Sequence, residues 1–71
     1  MVRRFWIKIE ERDPGSFIAR IAEKVNTDYR PMPRPVPSFP NREEAEQEAR
    51  EWLVANVRGD YTGEVSDKPP R

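Results

Sequence analysis

Between Tyr29 and Pro40 the chain reads Tyr-Arg-Pro-Met-Pro-Arg-Pro-Val-Pro-Ser-Phe-Pro. Proline has no backbone N–H and a ring-locked φ, so prolines at this density cannot continue a helix or feed a sheet ladder. The stretch is predicted to be extended polyproline II, able to span about 37 Å at roughly 3.1 Å per residue. It divides a chain of 71 residues into two halves, which must form their own elements and then pack against each other.

In the first half, Phe5, Ile7 and Ile9 alternate with Trp6, Lys8 and Glu10. That period predicts a strand over 2–11 with Phe5, Ile7 and Ile9 inward and Trp6 on the far face beside Arg4 and Lys8. Asp13-Pro14-Gly15-Ser16 is a turn, because proline presets φ and glycine supplies positive φ after it. Residues 16–26 fit two templates. As a strand they place Phe17, Ala19, Ile21 and Val25 on one face. As a helix capped by Ser16 they form an apolar stripe of Phe17, Ile18, Ile21, Ala22 and Val25. A lone strand needs a partner, and the nearest segment is the usual one, so the hairpin is preferred.

In the second half a helix is predicted over 42–58. Asn41 caps it, Glu44 completes a capping-box-like pattern, and Gly59 ends it. Ala45, Ala49, Trp52, Leu53 and Val57 share one side, with Asn56 the awkward residue among them. Tyr61–Ser66 can add a short strand interrupted by Gly63. The expected fold is α+β: a β-hairpin, or a three-stranded antiparallel ββαβ sheet, packed on one helix with a proline-rich crossover. Residues 1–66 form a single domain containing the 29–40 connector, and 67–71 form a disordered tail.

Composition narrows the function. There is no cysteine and no histidine, so thiolate chemistry is absent and so is the commonest general base and metal ligand. Serines 16, 38 and 66 have no histidine to activate them. Glu10, Glu11 and Asp13 are neighbours, but they sit at a hairpin end where acids are ordinarily just solvated. No enzyme activity, cofactor or metal is expected. No run of about 20 apolar residues is present, and the N-terminus is too polar for a secretory signal, so a cytoplasmic location is the default.

Net charge is zero, from 13 basic and 13 acidic groups. That argues against a generic nucleic-acid binder. The charge is nevertheless segregated, with Arg30, Arg34 and Arg42 on the proline side and Glu43, Glu44, Glu46, Glu48 and Glu51 on the helix. The candidate contact residues are Arg4, Trp6, Arg20, Arg30 and Arg34. An exposed tryptophan among arginines suits a protein interface. The same set suits a base-stacking surface, which is the alternative. Arg34 to Pro40 also fits Arg-x-x-Pro-x-x-Pro, a pattern read by SH3 domains. The plainer reading makes the segment a stiff connector with Val36 and Phe39 on the core, and lets the tail or the connector cover Trp6. An open sheet edge leaves homodimerisation available.

Ile7-x-Ile9-Glu10-Glu11, Asp13-Pro14-Gly15-Ser16-Phe17-Ile18-Ala19 and Glu43-Glu44-Ala45-x-x-x-Ala49 together resemble the N-terminal domain of HicB-type antitoxins. The resemblance covers about 30 residues and implies a hairpin-led α+β fold that binds a toxin partner. In layout the chain is also similar to the small inhibitors of host RNA polymerase made by short-tailed coliphages. Both imply a small protein, an inhibitor or regulator, that works by binding another protein.

Overall fold

The turn at Asp13–Ser16 closes as its residues dictate, with Gly15 at φ +80° after Pro14. It joins β1 (Arg3–Asp13) to β2 (Ser16–Val25), so 16–25 is strand rather than helix. Asp13 faces Ser16 across the turn. Continued without interruption, that closing pair would set Ile7 opposite Ala22 and Ile9 opposite Arg20. The ladder instead shifts between Glu11 and Asp13, leaving Arg12 as the extra residue of a β-bulge. Beyond it Phe5 faces Glu23, Ile7 faces Ile21 and Ile9 faces Ala19. Directly opposed residues share a face of the sheet, so the bulge brings Phe5, Ile7, Ile9, Ala19 and Ile21 to one side, while Ile18, opposite Glu10, is buried on the other.

The computed structural model describes residues 2–70 and adds a strand that the prolines conceal. Asn26 takes φ +59°, a conformation asparagine tolerates, and turns the chain into β3 (Asp28–Pro31). This strand pairs antiparallel with β2, Tyr29 opposite Lys24 and Pro31 opposite Ala22. Residues 29–31 of the expected connector are therefore part of the sheet. Pro31 is tolerated because β3 is the last strand on that side. Residues 32–38 belong to no helix or strand, and Phe39 then bridges back to Phe17 with paired 2.8 Å hydrogen bonds.

Helix α1 (Arg42–Asn56) starts as expected, the Asn41 side chain accepting from the Glu44 N–H at 2.9 Å. It ends at Asn56, two residues before the expected boundary, with the Val57 N–H on the Leu53 carbonyl. Asn56 is exposed and donates to the Trp52 carbonyl, which resolves its awkward position. Ala45, Ala49 and Leu53 are fully buried against Phe5, Ile7, Ile9, Ala19 and Ile21.

The last strand, β4 (Tyr61–Val65), runs parallel to β1, and the sheet order is β3-β2-β1-β4. The sheet is thus four-stranded and mixed, not three-stranded and antiparallel. The reason is the helix. A single helix between two strands carries the chain back to its starting end, so β4 must run with β3, and therefore with β1. Gly63 does not interrupt β4. A Cβ there would sit 3.3 Å from Leu53 Cδ1 and 3.6 Å from Ile7 Cδ1, so glycine makes room for the helix over the edge of the sheet. Among the described residues no helix is long and apolar enough to cross a membrane.

Deleting Arg12 should remove the bulge and leave Ile7 opposite Ile21 and Ile9 opposite Ala19, because Glu11 and Asp13 then pair with Phe17 and Ser16 in one continuous ladder. The expected result in circular-dichroism melting is a cooperative transition that survives the deletion. Arg12→Ala, which keeps the extra residue, should melt as the parent does.

Candidate functional site

Because α1 covers the odd-numbered positions of β1, the even positions face the other way. Arg4, Trp6, Lys8 and Glu10 of β1 share that outer face with Arg20, Ala22 and Lys24 of β2, and with Tyr29 and Pro31 of β3. Trp6 and Tyr29 lie on strands that flank β2 on either side. They meet above it, ring centroids 5.6 Å apart and planes at 68°. The small Ala22, directly opposite Trp6, leaves the space for that contact. Edge-to-face pairs of this kind contribute about 0.5–1.5 kcal/mol beyond their buried area.

The segment after β4 crosses this face. The Trp6 indole N–H donates to the Ser66 carbonyl at 2.9 Å, and the Tyr29 hydroxyl donates to the Pro70 carbonyl at 2.9 Å. The Ser66 hydroxyl donates to the Lys68 carbonyl at 2.6 Å, tightening the crossing. The carbonyls of Ser66 and Pro70 thus meet the two aromatic tips just before and within the stretch where a disordered tail (67–71) is expected; Arg71 lies outside the described residues. What stays open is a groove of about 240 Å³ whose floor is Ala22, whose walls are Trp6, Tyr29 and Pro31, and whose end carries Lys8, Glu10 and Arg20.

Charge at the open end is arranged two to one. Arg20 Nε donates to Glu10 at 3.0 Å, and Lys8 Nζ stands 3.4 Å from the other carboxylate oxygen. The Arg20 hydrogen bond, with Lys8 beside it, holds the Glu10 carboxyl below the usual carboxylate range. On the helix side of the sheet, Arg3 makes a two-pronged contact with Glu23 at 2.7 and 2.8 Å, which lowers the Glu23 carboxyl in the same way.

Arg4, Trp6 and Arg20 are thus brought together on the outer face. Arg30 and Arg34 are not. Arg30 pairs with Glu23 and so lies on the helix side of β3, exposed at the rim. Arg34 is the sharper departure from the expected contact set, because its side chain is only 2 % exposed. It bonds to Glu48 and lies over the Trp52 ring, 5.4 Å from the centroid, with Nη1 left without a protein acceptor. In this conformation the guanidinium is an internal clamp between connector and helix, and the Arg-x-x-Pro-x-x-Pro pattern does not present its arginine. Sequence reasoning also missed Ala22 and Tyr29, whose roles appear only once β3 and the bulged register are known.

No family model, curated protein or solved structure matches this chain.

Two outcomes follow from this geometry. Arg34→Ala strands Glu48 and uncovers Trp52, so it should lower unfolding free energy by about 2–3 kcal/mol in urea titrations, somewhat less than for a fully buried pair because Glu48 is partly exposed. Arg30→Ala should stay within about 0.5 kcal/mol of the parent. Glu10 and Glu23 are both depressed in the folded state. Their contribution is complete above the ordinary glutamate value of about 4.3 and is lost as pH falls below it through the lowered folded values. The double variant Glu10→Gln/Glu23→Gln should therefore lose less stability than the parent between pH 7 and pH 3.

Proposed function

We propose that this protein is a non-catalytic interaction module that docks another protein onto the outer face of its sheet, and so inhibits or regulates a larger assembly. The observation that carries this reading is the pairing of an apolar groove with unshared positive charge on the sheet face that the helix does not cover. Half-buried aromatic side chains beside arginine are the composition of interface anchors. The groove is smaller than the roughly 300–1,000 Å³ of ordinary small-molecule sites, which favours a side chain over a free metabolite.

A nucleic-acid partner is the second reading, supported by Arg4, Lys8, Arg20 and Lys24 on the same face. It is weaker for two reasons. Stacking needs free ring faces, whereas Trp6 and Tyr29 already pack on each other and are held at their tips. Glu10 also places a carboxylate where a phosphate chain would have to pass.

Capture from nuclease-treated lysate of the source cells tests the proposal. The full chain should retain a partner protein. Arg4→Glu/Arg20→Glu should lose it while still melting cooperatively, at a temperature lowered only by loss of the Arg20–Glu10 pair, and Arg30→Glu, on the other side of the sheet, should keep it. Capture that survives the Arg4/Arg20 reversal, or that disappears on nuclease treatment, would sink the reading.

A further inference from the structure

Resting on that reading, we infer that the groove receives an extended acidic peptide segment, which seats one apolar side chain over Ala22 and sets a flanking carboxylate on Lys8 and Arg20. The floor is a methyl group and the side walls are rings, so the surface offered to an incoming group is mainly apolar. A volume of about 240 Å³ has room for a side chain or two, not for a folded element.

The polarity of the partner follows from the charge at the groove's end. Lys8 and Arg20 share the single carboxylate of Glu10 and stay 39 % and 52 % exposed, so one positive charge is left over. Among the described residues Arg4 and Lys24 form no salt bridge, and both lie on the same face. The acid of β4 on that side is Glu64, opposite Trp6 and away from β3. An approaching chain therefore meets an apolar hollow with net positive charge at the Lys8 and Arg20 end and further cations beyond the aromatic pair, and the complementary ligand is apolar at its centre and acidic at its flanks. An extended segment suits the site better than a helix, because the hollow is short and the tail already crosses the face at the tips of Trp6 and Tyr29.

The test uses nitrogen-15-labelled full-length protein and synthetic peptides. The probe is a seven-residue peptide with one leucine between acidic residues. Its controls are the same peptide with serine in place of leucine, the same with lysines in place of the acids, and an oligothymidylate. The leucine peptide should shift the Trp6 indole, Ala22 and Tyr29 signals, and both peptide controls should bind at least tenfold more weakly. Ala22→Leu, which fills the hollow, should abolish the shifts while leaving the spectrum folded. Equal binding of the serine peptide or of oligothymidylate would overturn the inference, as would shifts that appear with protein concentration alone and so mark a second copy as the occupant. If no peptide binds while Arg4→Glu/Arg20→Glu still abolishes capture of a partner, the docking face stands and this occupant falls.

Discussion

One inserted residue decides which side of this sheet is core. Side chains alternate along a strand with a period of two, so a one-residue slip exchanges the faces of everything beyond it. The turn at Pro14-Gly15 imposes one register, and burial of Phe5, Ile7 and Ile9 beside Ala19 and Ile21 demands the other. Arg12 reconciles them as a bulge. The helix can then lay Ala45, Ala49 and Leu53 on a continuous apolar surface, where burying a leucine contributes on the order of 1.5–3 kcal/mol. The same slip sets Ala22 opposite Trp6 and Arg20 opposite Lys8. Core and candidate site are thus two consequences of one register.

The proline segment is best understood as edge management. β2 would otherwise present unpaired backbone groups along its whole outer side. β3 covers one end of it, Met32 continues the ladder through a 2.9 Å bond to the Ile21 carbonyl, and Phe39 closes the far end on Phe17. Between those points the prolines carry the chain with few donors left unmet. Arg34 then fastens this cover to the helix through Glu48 and Trp52. On the other side of the sheet β4 accompanies β1 only as far as Ile7. The rest of β1, Lys8 to Asp13, is protected differently. Its sequence is almost entirely charged and it contains the bulge, both of which discourage pairing with another chain. That leaves the face of the sheet, rather than its edge, as the surface on which the proposed docking rests.

The elements legible in the sequence were those with a strong period or a strong cap. The alternation through Phe5–Ile9, the Asp-Pro-Gly-Ser turn and the Asn41-led helix each carry a local physical signature, and each is found in the structure. The misreadings share a cause, which is that long-range geometry was needed. Tyr29 and Pro31 looked like connector because proline dominates any local reading, although Asn26 was a signal for a turn just before them. Arg34 looked exposed beside its prolines, yet Glu48 and Trp52 stand four residues apart on the helix, a carboxylate and a ring spaced to receive a guanidinium. Arg12 has no signature at all. A bulge of this kind is visible only when the apolar patterns of both strands are laid against the turn that joins them.

A formal charge of zero also conceals more than it tells. The face of the sheet away from the helix carries Arg4, Lys8, Arg20 and Lys24 with Glu10, and the exposed positions of the helix carry Glu43, Glu44 and Glu51 with Arg42 and Arg50. These surfaces lie on opposite sides of a molecule whose shortest extent is 18 Å between Cα atoms. At physiological ionic strength the Debye length is about 8 Å, so a partner approaching the sheet is largely screened from the acids behind it. At about 0.01 M salt the length grows to roughly 30 Å, so the field of the near face strengthens while the charges behind it begin to be felt as well. What total charge does not reveal is this separation of charge across a thin fold, and any electrostatic preference between partners would rest on it.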